Sequence, residues 1–248
     1  MVKLCIDWPT AYTYVELGDI TFALAQLYID NREYRDTLHK LRDRGREIML
    51  DNGAWEFGTT MEPKKYIQVI NGLKPQYAVV PDVMKDSEMT LEVATDFFNR
   101  WEKVKHNPSL MLAPQGKNIK ELVKNYKDLS NKFAPFVDIV AIPKHIGQII
   151  NRVKFTDHLL QQAEVKFSKV HFLGYWSYEE IQYGIKNREE GRQSWSMVSI
   201  DTKFPVKFAF NRKFKDEMDY YNTTAPLGTN ALGVAIAAMQ KNLANCLW

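Results

Sequence analysis

Three aspartates and one glutamine stand where short apolar runs end. Ile48-Met49-Leu50 ends at Asp51, and Tyr77-Ala78-Val79-Val80 ends at Pro81-Asp82. Leu110-Met111-Leu112-Ala113 leads into Pro114-Gln115-Gly116, and Met197 to Ile200 ends at Asp201. A carboxylate closing a buried strand is poorly solvated and rigidly carried, so it can serve as an aimed nucleophile or base. Each aspartate alone equally fits a turn residue, because Asp closes turns with local hydrogen bonds. Their recurrence favours a shared site. Histidine does not cluster with them: His145 and His171 are the nearby ones, and a lone His beside an apolar run reads as core. Carboxylates alone do not favour metal-assisted hydrolysis.

The elements that must carry these residues alternate. Strands are read at Lys3–Ile6, Ile48–Leu50, Tyr77–Val80, Leu110–Ala113, Ile139–Ile142, Val170–Leu173 and Met197–Ile200, with Val206–Phe210 as a possible eighth. Helices are read over about Thr21–Tyr28, Arg32–Arg44, Met61–Leu73, Ser87–Lys105, Ile119–Phe133, Ile146–Gln162, Tyr178–Lys186 and Asn230–Leu243. From the second strand to the seventh, successive starts lie roughly thirty residues apart, the size of one βα unit. Continuous apolar strands between amphipathic helices make a parallel sheet covered by helices. Seven or eight such units in about 250 residues predict an α/β fold of (β/α)8, TIM-like type, in which active sites lie at the C-terminal strand ends. A doubly wound open sheet is the alternative, without the Gly-x-Gly-x-x-Gly that would support a dinucleotide fold. The residues at the expected mouth are Asp7, Asp51, Asp82, Gln115, Lys144, Gly174 and Asp201.

Composition narrows the classes. The chain has 248 residues, 45% of them hydrophobic, and a net charge of +3. That suits a single domain spanning residues 1–248. No apolar run approaches membrane-spanning length and no signal-peptide pattern opens the chain, so a cytoplasmic protein without a membrane partner is expected. Cys5 and Cys246 form no Cys-x-x-Cys pair, so no metal is expected. No cofactor is expected, and the oligomeric state is left open.

An ordered set of motifs resembles a known family. Leu50-Asp51-Asn52-Gly53-Ala54-Trp55-Glu56 resembles the Asp-Ser-Gly-Gly-Phe-Gln segment of tRNA-guanine transglycosylases. Val80-Pro81-Asp82 is similar to their second carboxylate position, Ala113-Pro114-Gln115-Gly116 to their Val-Gln-Gly strand end, and Phe172-Leu173-Gly174 to their Leu-Met-Gly. Ser199-Ile200-Asp201-Thr202 falls where the family carries its nucleophilic Asp. The family members acting on tRNA carry a zinc subdomain with three Cys and a His, and this chain has no such set. Its compactness resembles the phage and bacterial 7-deazaguanine DNA transglycosylases (the DpdA type).

The resemblance implies replacement of guanine in DNA by a preQ0-like 7-deazaguanine, with tRNA as the alternative polymer and the free 7-deazaguanine base as second substrate. It implies Asp201 as nucleophile, Asp51 as acid/base, Asp82 and Gln115 as readers of the base, and Gly53 and Gly174 beside them. Trp55 and Leu173 would sandwich the ring, although Leu173 fits core packing as well. Lys203, Lys207 and Arg212 follow Asp201 and would neutralise phosphates. Alternating Lys and Phe there also describes a strand with one buried face. A barrel glycosidase pairing Asp51 with Asp201, and a non-catalytic nucleic-acid-binding barrel, remain rival readings.

Overall fold

The computed structural model describes residues 2–7, 20–162, 167, 169–174, 179–180, 183 and 197–202. Eight parallel strands run in chain order: β1 (Val2–Asp7), β2 (Ile20–Leu24), β3 (Ile48–Asp51), β4 (Tyr77–Val79), β5 (Ser109–Leu112), β6 (Ile139–Ile142), β7 (Lys169–Phe172) and β8 (Met197–Thr202). Each pairs with the next, and β8 pairs with β1. Seven α-helices are described: α1 (Ala25–Asp30), α2 (Arg32–Asp43), α3 (Ala54–Phe57), α4 (Pro63–Leu73), α5 (Ser87–Asn99), α6 (Ile119–Phe133) and α7 (Arg152–Gln162).

Two expectations are corrected. The first is the regular (β/α)8 repeat. Full βα structure is shown along an arc of six parallel strands, β2 to β7, and helices are described after β2, β3, β4, β5 and β6. Between Gly174 and β8 only Glu179, Glu180 and Tyr183 are described, in helical conformation. Among the described residues the strands β1 and β8 complete the ring without an eightfold helical coat. The second concerns the strands themselves. Thr21–Tyr28, expected to be helical, holds β2 and the start of α1. A short apolar run does not separate strand from buried helix by pattern alone. Here Ile20, Phe22 and Leu24 alternate into the barrel while β2 pairs with both β1 and β3. The suggested strand Val206–Phe210 and the last helix, Asn230–Leu243, lie outside the described residues.

Alternation along the strands builds two cores. Ile20, Phe22, Leu24, Met49, Val79, Met111, Ala113, Ile139 and Ala141 face the axis. Leu50, Ala78, Leu110, Leu112, Val140, Ile142, Val170 and Phe172 face outwards and pack with the helices. Successive strand residues point to opposite faces, so one strand feeds both cores. Helix ends follow local chemistry. Asn31 caps α2 by accepting from the Tyr34 N–H at 3.0 Å, and Asp86 caps α5 through the N–H groups of Glu88 and Met89. Gly45 ends α2 with φ +82°, where a side chain would strain the backbone. Tyr34, Leu38 and Leu41 form its buried stripe. No described helix is long and apolar enough to cross a membrane.

Candidate active site

The same two-residue period that builds the inner core aims the polar residues. Asp51 lies two beyond Met49, and Gln115 lies two beyond Ala113. Leu173 lies two beyond His171, and Asp201 two beyond Ser199. Each therefore continues an axis-facing row at the C-terminal end of its strand.

Asn52 and Asp82 are hydrogen-bonded to each other, and Asp51 is held in the same turn through Gly53. The Asp51 carboxylate accepts from the Gly53 N–H at 3.0 Å. Asn52 is fully buried; its side-chain amide donates to Asp82 at 2.6 Å and to the Val80 carbonyl at 3.3 Å. Its side-chain oxygen accepts from the Ala54 N–H, and its main-chain carbonyl accepts from the Gln26 amide at 2.6 Å. Gly53 has φ +77°, and a Cβ there would sit 2.0 Å from the Gln26 side-chain oxygen. The turn after β3 thus favours glycine for its left-handed conformation, and a Cβ there would also displace the Gln26 amide from the Asn52 carbonyl.

The second oxygen of Asp82 accepts from the Gln115 side-chain amide. The Gln115 carbonyl oxygen accepts from the Lys85 N–H at 3.0 Å, and its own N–H donates to Asn125 on α6 at 2.9 Å. Gln115 is thereby held against Asp82. Both its side-chain ends already have a partner, as do both oxygens of Asp82, and an ionised carboxylate retains lone pairs for further donors.

Electrostatics separates the carboxylates. Burial raises Asp51 well above the usual carboxylate range; the charges of Glu56, Asp82 and Asp201 push the same way, against the Gly53 hydrogen bond. Burial lifts Asp82 from 3.8 to about 6, with the Asn52 and Gln115 hydrogen bonds opposing. Asp201 has a different setting. Its Oδ1 accepts from the Gly174 N–H at 2.6 Å and lies 3.1 Å from His171 Nε2.

The Gly174 turn is clamped from behind. Arg152 is buried and donates to the carbonyls of Gly174, Ile142 and Leu173 at 2.6, 2.5 and 3.0 Å. It also pairs with buried Glu180 at 3.1 Å and lies over the Phe172 ring. Gly174 has φ +67°, and the Lys144 side chain packs on it.

The structure therefore brings Asp51, Asp82, Gln115, Gly53, Leu173, Gly174 and Asp201 to one end of the barrel. Leu173 is half-buried against the inner core, so its packing role is real. Trp55, on α3, leaves 53% of its surface exposed. Lys203, Lys207 and Arg212 lie outside the described residues. Two participants escaped the sequence reading. Asn52 differs from the family motif, yet its position between two aspartate-ended strands was a usable signal. His171, read as core, touches Asp201; only the pairing of β7 with β8 reveals this. Among the described residues no group of three or more His, Cys, Asp or Glu could hold a metal ion.

No protein-family model and no curated protein matches the chain. Among solved structures it is similar to the apo form of 3-keto-D-glucoside 4-epimerase from E. coli, with 10% identity and a TM-score of 0.55. The match covers 97% of this chain and all of that one. At this identity the likeness is one of fold.

Proposed function

We propose that the chain is a base-exchange transglycosylase that replaces guanine in DNA with a preQ0-like 7-deazaguanine. The observation that carries this reading is the contrast between two carboxylates at one mouth. Burial and the neighbouring carboxylates raise Asp51 well above the usual range, which favours its protonated form. Asp201 accepts the Gly174 N–H and lies beside His171 Nε2, whereas Asp51, which also accepts a main-chain N–H, faces the charges of Glu56, Asp82 and Asp201. A proton donor and a nucleophile are what N-glycosidic exchange requires.

The steps balance on these two groups. The free oxygen of Asp201 forms a bond to the anomeric carbon as the C–N bond breaks. The electron pair of that bond goes to the leaving ring nitrogen, and the Asp51 proton neutralises it. An incoming 7-deazaguanine loses its ring N–H proton to Asp51 and attacks the anomeric carbon. The ester bond breaks and Asp201 leaves as carboxylate. Asp82, kept in place by Asn52 and Gln115, accepts the N–H groups of the guanine edge. The Lys203, Lys207 and Arg212 segment would hold phosphates. DNA as polymer rests on the family resemblance.

The fold likeness to a sugar epimerase favours a second reading: chemistry on a free sugar by the same carboxylates. One experiment separates them. The protein is incubated with labelled guanine or labelled 7-deazaguanine and with duplex DNA, single-stranded DNA or tRNA. Label entering DNA is the expected result. Label entering tRNA alone overturns the choice of polymer. No incorporation anywhere, with turnover of free glycosides instead, establishes the second reading.

A further inference from the structure

Three buried side chains on β7 and β8 form a line that base exchange alone does not explain. Ser199 Oγ lies 2.9 Å from His171 Nδ1, and His171 Nε2 lies 3.1 Å from Asp201 Oδ1. His171 and Ser199 are directly paired across the two strands and have no solvent exposure. We propose that His171 and Ser199 are positioning residues that dictate which oxygen of Asp201 reacts. The proposal rests on Asp201 being the reactive carboxylate.

The chemistry assigns the protons. A neutral imidazole carries one N–H, on either nitrogen. A carboxylate facing a bare Nε2 lone pair would meet repulsion, so the proton belongs on Nε2. Nδ1 is then an acceptor, and the Ser199 hydroxyl donates to it. The hydroxyl can rotate to suit; the carboxylate cannot supply a proton once ionised. Asp201 therefore selects the tautomer, Ser199 stabilises it by donating to Nδ1, and the tautomer gives Asp201 a donor.

The consequence falls on the two carboxylate oxygens. Oδ1 receives N–H groups from Gly174 and His171. Among the described residues nothing hydrogen-bonds Oδ2. Two donors draw charge towards Oδ1 and fix the carboxylate plane, leaving Oδ2 as the more nucleophilic oxygen. In the covalent intermediate Oδ1 is the ester carbonyl, and the same two donors still hold it. The relay thus orients the nucleophile before and after attack without itself touching the sugar.

The test starts with the full chain and no substrate. Nitrogen-15 labelled histidine reports the tautomer of each ring by its two nitrogen shifts and their couplings to ring protons. His171→Gln identifies the His171 signals by their loss. The expected result is a single Nε2–H tautomer near neutral pH, becoming mixed in Ser199→Ala. A predominant Nδ1–H tautomer overturns the proposal. The kinetic arm compares His171→Leu, which removes the donor, with His171→Gln, which presents an amide N–H in its place. His171→Leu should lower kcat about ten- to a hundredfold with KM little changed, and His171→Gln should recover most of that loss. Equal kcat in all three proteins overturns the proposal. A wild-type protein inactive in base exchange contradicts the proposed function, while the nitrogen shifts still decide the relay.

Discussion

The inner surface of the barrel has two unlike walls. Along β2 to β6 the buried axis-facing residues below the mouth are apolar: Ile20, Phe22, Met49, Val79, Met111, Ile139 and Ala141 among them. Along β7 and β8 the corresponding positions are His171 and Ser199, and polar groups continue from the mouth into the barrel. The first wall is held by burial of apolar area, which is non-directional and tolerates small shifts. The second is held by hydrogen bonds with defined donors, which fix angles as well as positions. The proposed acid/base and base-reading groups stand on the first wall, and the proposed nucleophile stands on the second. Precision is concentrated where a new covalent bond would form.

Substitutions can break this contrast in order of severity. Asp201→Asn keeps the shape of the residue but removes the negative charge. Exchange should fall on the order of 10⁴-fold in single turnover, with only a small change in melting temperature. A loss below tenfold would remove Asp201 as nucleophile. Arg152→Met attacks the support of the second wall. It removes the ion pair to buried Glu180 and releases the carbonyls of Ile142, Leu173 and Gly174. A cost of about 3–5 kcal/mol in urea unfolding is expected, because a buried ion pair and three hydrogen bonds from a buried side chain are broken together. A cost under about 1 kcal/mol would show that the clamp does not hold the fold.

Met111→Ala is the matching change in the first wall. Removing a fully buried inner-core side chain should cost about 2–5 kcal/mol, while exchange per folded molecule stays near wild type. A large drop in kcat at preserved structure would mean that the apolar wall also positions the chemistry. The smallest effect is a pH dependence. Asp82 is held at about 6, and only its ionised form accepts the base's N–H groups without giving up its own acceptors. Affinity for free guanine should fall about tenfold for each pH unit below 6, measured by calorimetry. Stability should move the other way. A carboxyl raised on folding carries no penalty below its ordinary value of 3.8, and the penalty grows as pH rises from there to about 6. Asp82→Asn should reduce that slope between pH 4 and 6, the raised Asp51 supplying the rest; a slope unchanged in the variant would assign all of it to other groups.

Much of this was readable along the chain. Asp51, Asp82, Gln115 and Asp201 were legible as strand-end residues because an apolar run stopping at a polar residue is a local pattern. The helix over Ile119–Phe133 and the Gly45 stop were legible for the same reason: amphipathic period and backbone conformation belong to neighbouring residues. The strand Ile20–Leu24 was not, since a short apolar run satisfies helix and strand equally until its partners are known. Nor was the regular eightfold repeat a safe extrapolation from the middle of the chain, where βα units are evenly spaced, to its two ends.

The sequence by itself determined which residue types reach the mouth, because side-chain alternation needs only the order of residues along one strand. It did not determine which of them touch. His171 and Ser199 are 28 residues apart, and Asn52 and Asp82 are 30 apart. Their contacts depend on strand pairing, which the closed ring of strands settles. Protonation belongs to the same class. Asp51 and Asp82 are chemically identical to any surface aspartate until burial and neighbouring charges act on them, and both are products of the tertiary structure.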